Sequence, residues 1–168
     1  MKTLIIGEIV NDELSSGTLE IISKIKSLNL DFSVITVGNA DVTKIRSDSF
    51  LNIYMKSNSN KFNLSSCANE IKNIINEKEI DLVLSNSSYI GRDIIAFLSV
   101  DYKTSPVANV INFEIDNNEI KTINSINGGE SEYITKLNSD INFILIRPKS
   151  FDQTELILID SFKIIIKY

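Results

Sequence analysis

The stretch LSSCANEIKNIINEKEIDLVLSNSSYIGRDIIAFL, residues 64–98, decides the architecture. Leu64, Ala68, Ile71, Ile74 and Ile75 recur at helical spacing, with Asn63, Ser65 and Ser66 in place as caps. Ile80 to Leu84 then reads as a short strand. The polar run Ser85-Asn86-Ser87-Ser88 follows, after which Ile90, Ile94, Phe97 and Leu98 outline one side of a second helix. Helix, strand and helix in this order are the repeating part of an α/β domain. A crossover of a dozen or more residues lets the strands it joins run parallel.

Towards the N-terminus the same rhythm continues. Thr3 to Ile9 is a nearly continuous apolar run carrying Gly7-Glu8, the pattern of a strand buried on both faces. After a polar turn at Asn11-Asp12-Glu13, Ser15 or Ser16 caps a helix whose Leu19, Ile22, Ile25 and Leu28 recur along one side. Phe32 to Val37 is a second strand stopped at Gly38-Asn39. A weaker helical stretch around Val42 and Ile45 and a third strand at Leu51 to Met55 come next.

Towards the C-terminus the texture changes at Pro106. Val107 to Ile115, a turn at Asp116-Asn117-Asn118, Glu119 to Ile126, Asn127-Gly128-Gly129 and Tyr133 to Leu137 predict an antiparallel hairpin appended to the sheet. Ile141 to Ile146 is a further strand stopped by Arg147-Pro148, and the apolar segments Leu156 to Ile159 and Phe162 to Ile166 have no helix after them to cover them. The expected fold is therefore α/β, a Rossmann-like, three-layer, open and mainly parallel sheet with an antiparallel addition. Residues 1–148 form the domain and 149–168 an apolar β tail that packs on it or on a partner, with the seam at Lys149 to Gln153.

Composition removes whole classes of chemistry. The chain has 168 residues, no histidine and one cysteine, Cys67. Without histidine there is no Ser-His-Asp or Cys-His arrangement and the commonest transition-metal ligand is missing. One cysteine allows no intrachain disulfide and no four-cysteine cluster. Cys67 itself, beside Ala68 on a packing face, reads as structural. A net charge of -5 and the lack of a basic patch argue against nucleic acid as a partner. No apolar run is long enough for membrane insertion, and Leu4-Ile5-Ile6 is too short for a signal peptide, so a cytoplasmic location is expected. No G-x-G-x-x-G, no P-loop and no carboxylate dyad is found, and the expected protein is not an enzyme.

In open α/β sheets ligands gather at the carboxyl ends of parallel strands, beside helix N-termini whose free N–H groups favour anions. Three places qualify. At the end of the first strand, Gly7 permits close approach and Glu8 can accept hydrogen bonds from a ribose or an amine; alternatively Gly7 relieves crowding against a helix and Glu8 is the first solvated residue. At the strand-to-helix turn, Ser87, Ser88, Gly91, Arg92 and Asp93 combine hydroxyls, a guanidinium and a carboxylate that suit a phosphate or a partner's carboxylate. A serine cap with an Arg92–Asp93 surface pair explains the same residues. The third place, Asn127-Gly128-Gly129, is most simply a hairpin turn.

Four segments taken together carry a family resemblance: TLIIGEIVNDELSSGTLEIISKIKSL (3–28), DLVLSNSSYIGRDIIAFLS (81–99), INGGESEYIT (126–135) and FILIRPKSF (143–151). In this order they resemble the N-terminal domain of electron transfer flavoprotein alpha subunits. The family's glutamate, its Ser/Thr-x-x-Gly-Arg-Asp turn and its Arg-Pro-Gly-Ala-Phe boundary fall here at Glu8, at Ser88 to Asp93 and at Arg147 to Phe151. Lys149-Ser150 stands where the family has Gly-Ala, and Glu130-Ser131-Glu132 where it tends to be small and apolar.

The resemblance implies an adenine nucleotide alpha hydrolase-like scaffold and a role in flavin-dependent electron transfer. The C-terminal domain that holds most FAD contacts in the family is not represented, so the chain is expected to hold no cofactor alone. FAD or AMP would come through a beta-like or separate flavin-binding subunit. Two alternatives are a free-standing nucleotide- or flavin-binding domain using Glu8, Ser88, Gly91 and Arg92, and a cofactor-free homodimer that buries Leu156, Leu158, Phe162, Ile164 and Ile166.

Overall fold

The computed structural model describes residues 1–11, 13–37, 51–55, 63–153 and 163–167; for Glu13, 51–55 and 163–167 it describes the backbone alone. The elements in chain order are β1 (Lys2–Val10), β2 (Glu13–Leu14), α1 (Ser16–Ser27), β3 (Asp31–Val37), β4 (Leu51–Met55), α2 (Leu64–Lys78) and β5 (Leu82–Asn86). They continue with α3 (Tyr89–Asp101), β6 (Val107–Asp116), β7 (Glu119–Ile126), β8 (Ser131–Leu137), β9 (Asn142–Ile146) and β10 (Lys163–Lys167).

The main sheet has the order β3-β1-β5-β9-β6-β7-β8, with β2 folding back antiparallel on Ile9 and Val10 of β1. From β3 to β6 every neighbouring pair is parallel; β7 is antiparallel to both β6 and β8. The expected α/β class with its antiparallel addition is the observed one. Strand β9 enters between β5 and β6, so the addition joins the sheet through a strand that follows it in sequence. All five residues of β9 are buried, as they must be in a strand with neighbours on both edges and cover on both faces.

Alternation along the strands sorts the core into two layers. Leu4, Ile6, Ile35, Val37, Val83, Phe143 and Leu145 face α2 and α3, meeting Ile71, Ile75, Ile94, Ile95 and Leu98. Ile5, Val34, Leu82, Leu84, Ile144 and Ile146 face the opposite way, towards Ile21, Ile22 and Ile25 of α1, with Phe113 and Ile120 from the antiparallel part. Each such aliphatic side chain contributes about 1.5–3 kcal/mol through burial.

Four details depart from the sequence pattern. Strand β5 runs from Leu82 to Asn86, later than the expected Ile80 to Leu84. Polar Ser85 and Asn86 still pair with Ile6 and Ile146, and Glu79, at φ 53°, is still ending α2. The inward face of α1 is wider than the expected stripe and includes Ile21 and the carboxylate of Glu20. A short antiparallel strand, β2, occupies part of the expected polar turn. Strand β4 forms a parallel pair with β10 and has no place in the main sheet. The expected helix near Val42 and Ile45 and the apolar segment Leu156 to Ile159 lie outside the described residues.

The antiparallel addition begins at a bulge. The register of β6 shifts between Val110 and Asn112 against β7, and between Val107 and Val110 against β9. Asn109 is held there at φ 59°, and the Asn124 amide donates to the carbonyls of Ala108 (2.7 Å) and Asn109 (3.0 Å). The bulge interrupts the ladder of β6 on both sides and bends the strand there.

Candidate functional site

Strand β3, next after β1 among the parallel strands, lies on one side of β1, and β5 lies on the other. The carboxyl ends of β1 and β5 therefore flank the point where the winding reverses, the position at which open α/β sheets leave a crevice. Glu8 stands near the end of β1, Ser87 and Ser88 follow β5, and Gly91, Arg92 and Asp93 occupy the start of α3. The sequence-derived residues thus fall on one edge of the sheet.

Ser88 is the centre of the arrangement. As N-cap of α3 its Oγ accepts from the Gly91 N–H at 2.9 Å, and its hydroxyl hydrogen-bonds Glu8 Oε1 across the crevice. The backbone of Glu8 is tied to the other helix: its N–H donates to Thr18 Oγ1 (3.0 Å) and its carbonyl accepts from Ser15 N–H (2.9 Å). Ser15 caps α1, its Oγ accepting from Thr18 N–H and sharing a 2.9 Å hydrogen bond with Thr18 Oγ1. Glu8 therefore joins two helix N-termini, one through its main chain and one through its carboxylate.

Small residues bring both helices close. A Cβ at Gly91 would lie 2.2 Å from the Asn86 carbonyl oxygen and 2.7 Å from Ser85 Oγ, while one at Gly17 would lie 2.0 Å from the Asn86 amide nitrogen. A Cβ at Gly7 would meet Thr18 Cγ2 at 2.7 Å, so this glycine relieves crowding against α1. Asn86 is wedged beneath the first turn of α1 with its Oδ1 buried and without a hydrogen-bond partner. The Arg92 side chain lies over the turn, Nε donating to Ser87 Oγ at 3.1 Å. No ion pair joins it to Asp93 among the described residues, so the Arg–Asp pair suggested by the sequence is replaced by an Arg–Ser contact. Val10, Tyr89 and Ile90 are exposed apolar side chains of the two element ends that meet here.

Gly17, Thr18 and Asn86 belong to this site without having been singled out in the sequence, and Ser15, expected there as one of two candidate helix caps, was not placed in the site. The Ser15-x-x-Thr18 spacing, a hydroxyl pair three residues apart at a helix start, was the available signal. The two other places in the sequence resolve simply. Asn127, Gly128 and Gly129, at φ 52°, 70° and 104°, make the turn between β7 and β8. Cys67 is buried in α2, where desolvation pushes its thiol up to about 11, far from a reactive thiolate. Among the described residues no cluster of His, Cys, Asp and Glu could hold a metal ion, and no helix is long and apolar enough to cross a membrane. The site offers a carboxylate, hydroxyls, helix N-termini and a guanidinium: groups that bind and position.

Compared with protein families, residues 3–160 match the model described as electron transfer flavoprotein domain, consistent with the N-terminal domain of an alpha-type protein. A comparison with curated proteins finds no match.

Proposed function

We propose a role from one premise: the chain belongs to the electron transfer flavoprotein domain family. Proteins of this family in general carry electrons rather than catalyse, and their domains work with partner subunits. On our reading this chain is a scaffold or partner subunit in flavin-dependent electron transfer, and the flavin is gripped chiefly by a beta-like or separately encoded flavin-binding subunit. The observation that carries this reading is the Ser88–Glu8 hydrogen bond. It spans the crevice where a nucleotide would enter, and the N–H groups of Thr18 and Gly91 beside it are already taken by Ser15 and Ser88. The chain purified alone is expected to show no flavin absorbance, and to form a yellow complex of defined mass with its partner. Stoichiometric flavin on the isolated chain would overturn the reading.

A second reading, a free-standing nucleotide-binding domain, is favoured by one feature. Asn86 Oδ1 is a buried acceptor with no donor, and it lies beneath the first turn of α1. If a nucleotide binds there, heat will release it from native protein, and Arg92→Ala will weaken adenine-nucleotide binding about tenfold or more, the worth of a charge-assisted hydrogen bond. Unchanged affinity in that variant removes the turn from any nucleotide site.

A further inference from the structure

Strand β8 is the last strand of the main sheet, and among the described residues nothing pairs with its outer edge. Its seven residues, SEYITKL, lie in unbroken register with β7, without proline or bulge, the devices that usually spoil an edge for pairing. Ile134 at its centre is 67% exposed and Tyr133 beside it 44%; Ile126, at the end of β7 opposite Ser131, is 43% exposed. Charged residues are a further means of blunting an edge, and β8 has two, Glu132 and Lys136. Their placement matters: each lies two residues from Ile134, on the same face as it, and they carry opposite signs.

We propose that β8 pairs antiparallel with β8 of a second copy of this chain about a two-fold axis at Ile134, joining the two sheets edge to edge. In that register Ile134 meets Ile134, Tyr133 meets Thr135, and Glu132 of each copy faces Lys136 of the other. Cross-strand opposite charges of this kind are favourable, and like charges directly opposite are unfavourable. Parallel in-register pairing sets Glu132 against Glu132 and Lys136 against Lys136, so the same two residues select the antiparallel mode. The charges left over within one copy agree. Lys121 and Lys136 face each other across β7 and β8 and both reach Glu119, whereas Glu132 makes no ion pair with another described residue. Each copy thus presents a surplus lysine and an unmatched glutamate to its mate. An isologous pairing closes on itself and stops at a dimer. It uses a different edge from the tail and does not depend on the proposed flavin role.

The test is a charge swap read by sedimentation over a range of protein concentrations. Wild type is expected to shift from monomer to dimer as concentration rises. Glu132→Lys and Lys136→Glu should each weaken dimerisation at least fivefold, and the double variant should recover most of that loss although it still lacks the Lys136–Glu119 contact. Ile134→Cys, in a chain whose native thiol is buried, should give an oxidised dimer that a reductant dissolves. A monomer at every concentration overturns the proposal, as does a dimer unmoved by either charge reversal or a double variant no better than the singles.

Discussion

At the residue scale, the site is shaped by what a methyl group would strike. In Gly91→Ala the new Cβ meets the main-chain carbonyl of Asn86, which cannot move without disturbing β5, so α3 must retreat. The expected loss is about 2–3 kcal/mol in a urea titration, the upper range for overpacking. In Gly17→Ala the obstacle is the Asn86 amide, a movable side chain, so the loss should be smaller, and Asn86→Ala should relieve most of it in the double variant. Equal losses at the two glycines would mean that backbone contact is not what sets them apart. Ser88 is read the same way. Ser88→Ala removes both the cap and the bond to Glu8 and should cost about 1–2 kcal/mol. If the bond across the crevice matters, Ser88→Ala and Glu8→Ala will be coupled by at least about 0.5 kcal/mol in a double-mutant cycle; additive losses would reduce Ser88 to a cap.

At the scale of the element, α2 shows how a core position sets pH dependence. Burial raises the Cys67 thiol to about 11, whereas an unfolded chain titrates near 9. Between those values the folded protein binds more protons than the unfolded one, so stability falls as pH rises. The contribution is fully present below pH 9 and lost by about pH 11, at most roughly 2–3 kcal/mol for two units. Lysines and tyrosines titrate in the same window, so the useful quantity is the difference between wild type and Cys67→Ala, which should narrow as pH rises from 9 to 11. A constant difference would mean that the thiol is not desolvated. The same helix was fully legible in the sequence, because Leu64, Ala68, Ile71, Ile74 and Ile75 state the face it buries. The end of β5 was less so: Ser85 and Asn86 are polar in composition but buried in place, with Ser85 Oγ donating to the Ile6 carbonyl at 3.1 Å. The pairing of β4 with β10 was not legible at all. Alternation along a strand states which face is apolar and carries no address for its neighbour. Of the site, Ser88 and Gly91 could be read from local turn chemistry. Asn86 under Gly17 could not, because that contact needs a strand and a helix brought together by the fold.

At the scale of the whole molecule, the question is where the domain stops. Every strand of the main sheet is complete by Ile146, yet residues 147–151 are fastened to it and do not behave as a linker. Arg147 N–H donates to the Val110 carbonyl (2.9 Å), Ser150 Oγ donates to the Arg147 carbonyl (2.7 Å), and Ser150 N–H donates to Oε2 of Glu20 (3.1 Å). Glu20 lies on the buried side of α1, 3% exposed, so this N–H is the partner of a carboxylate that water barely reaches. Phe151 meets Phe113 edge-on at 6.1 Å, and the Lys24 ammonium sits 5.4 and 5.5 Å from the two ring centres, where burial lowers its pKa despite the opposing pull of Glu114. A chain cut after Gln153 keeps these contacts and every strand of the main sheet but loses the β10 strand that pairs with β4, and it is expected to unfold in one cooperative step. Cutting after Ile146 strands the Glu20 carboxylate without its donor, at about 1–3 kcal/mol, and removes the Phe151 ring from its contacts, together costing at least about 3 kcal/mol. Glu20→Gln should recover part of that loss in the shorter chain, because a neutral amide is cheaper to leave buried than a carboxylate. Urea titrations of the two truncations decide it: equal midpoints would show that residues 147–153 merely trail from the sheet, and a rescue absent in Glu20→Gln would remove the carboxylate from the account.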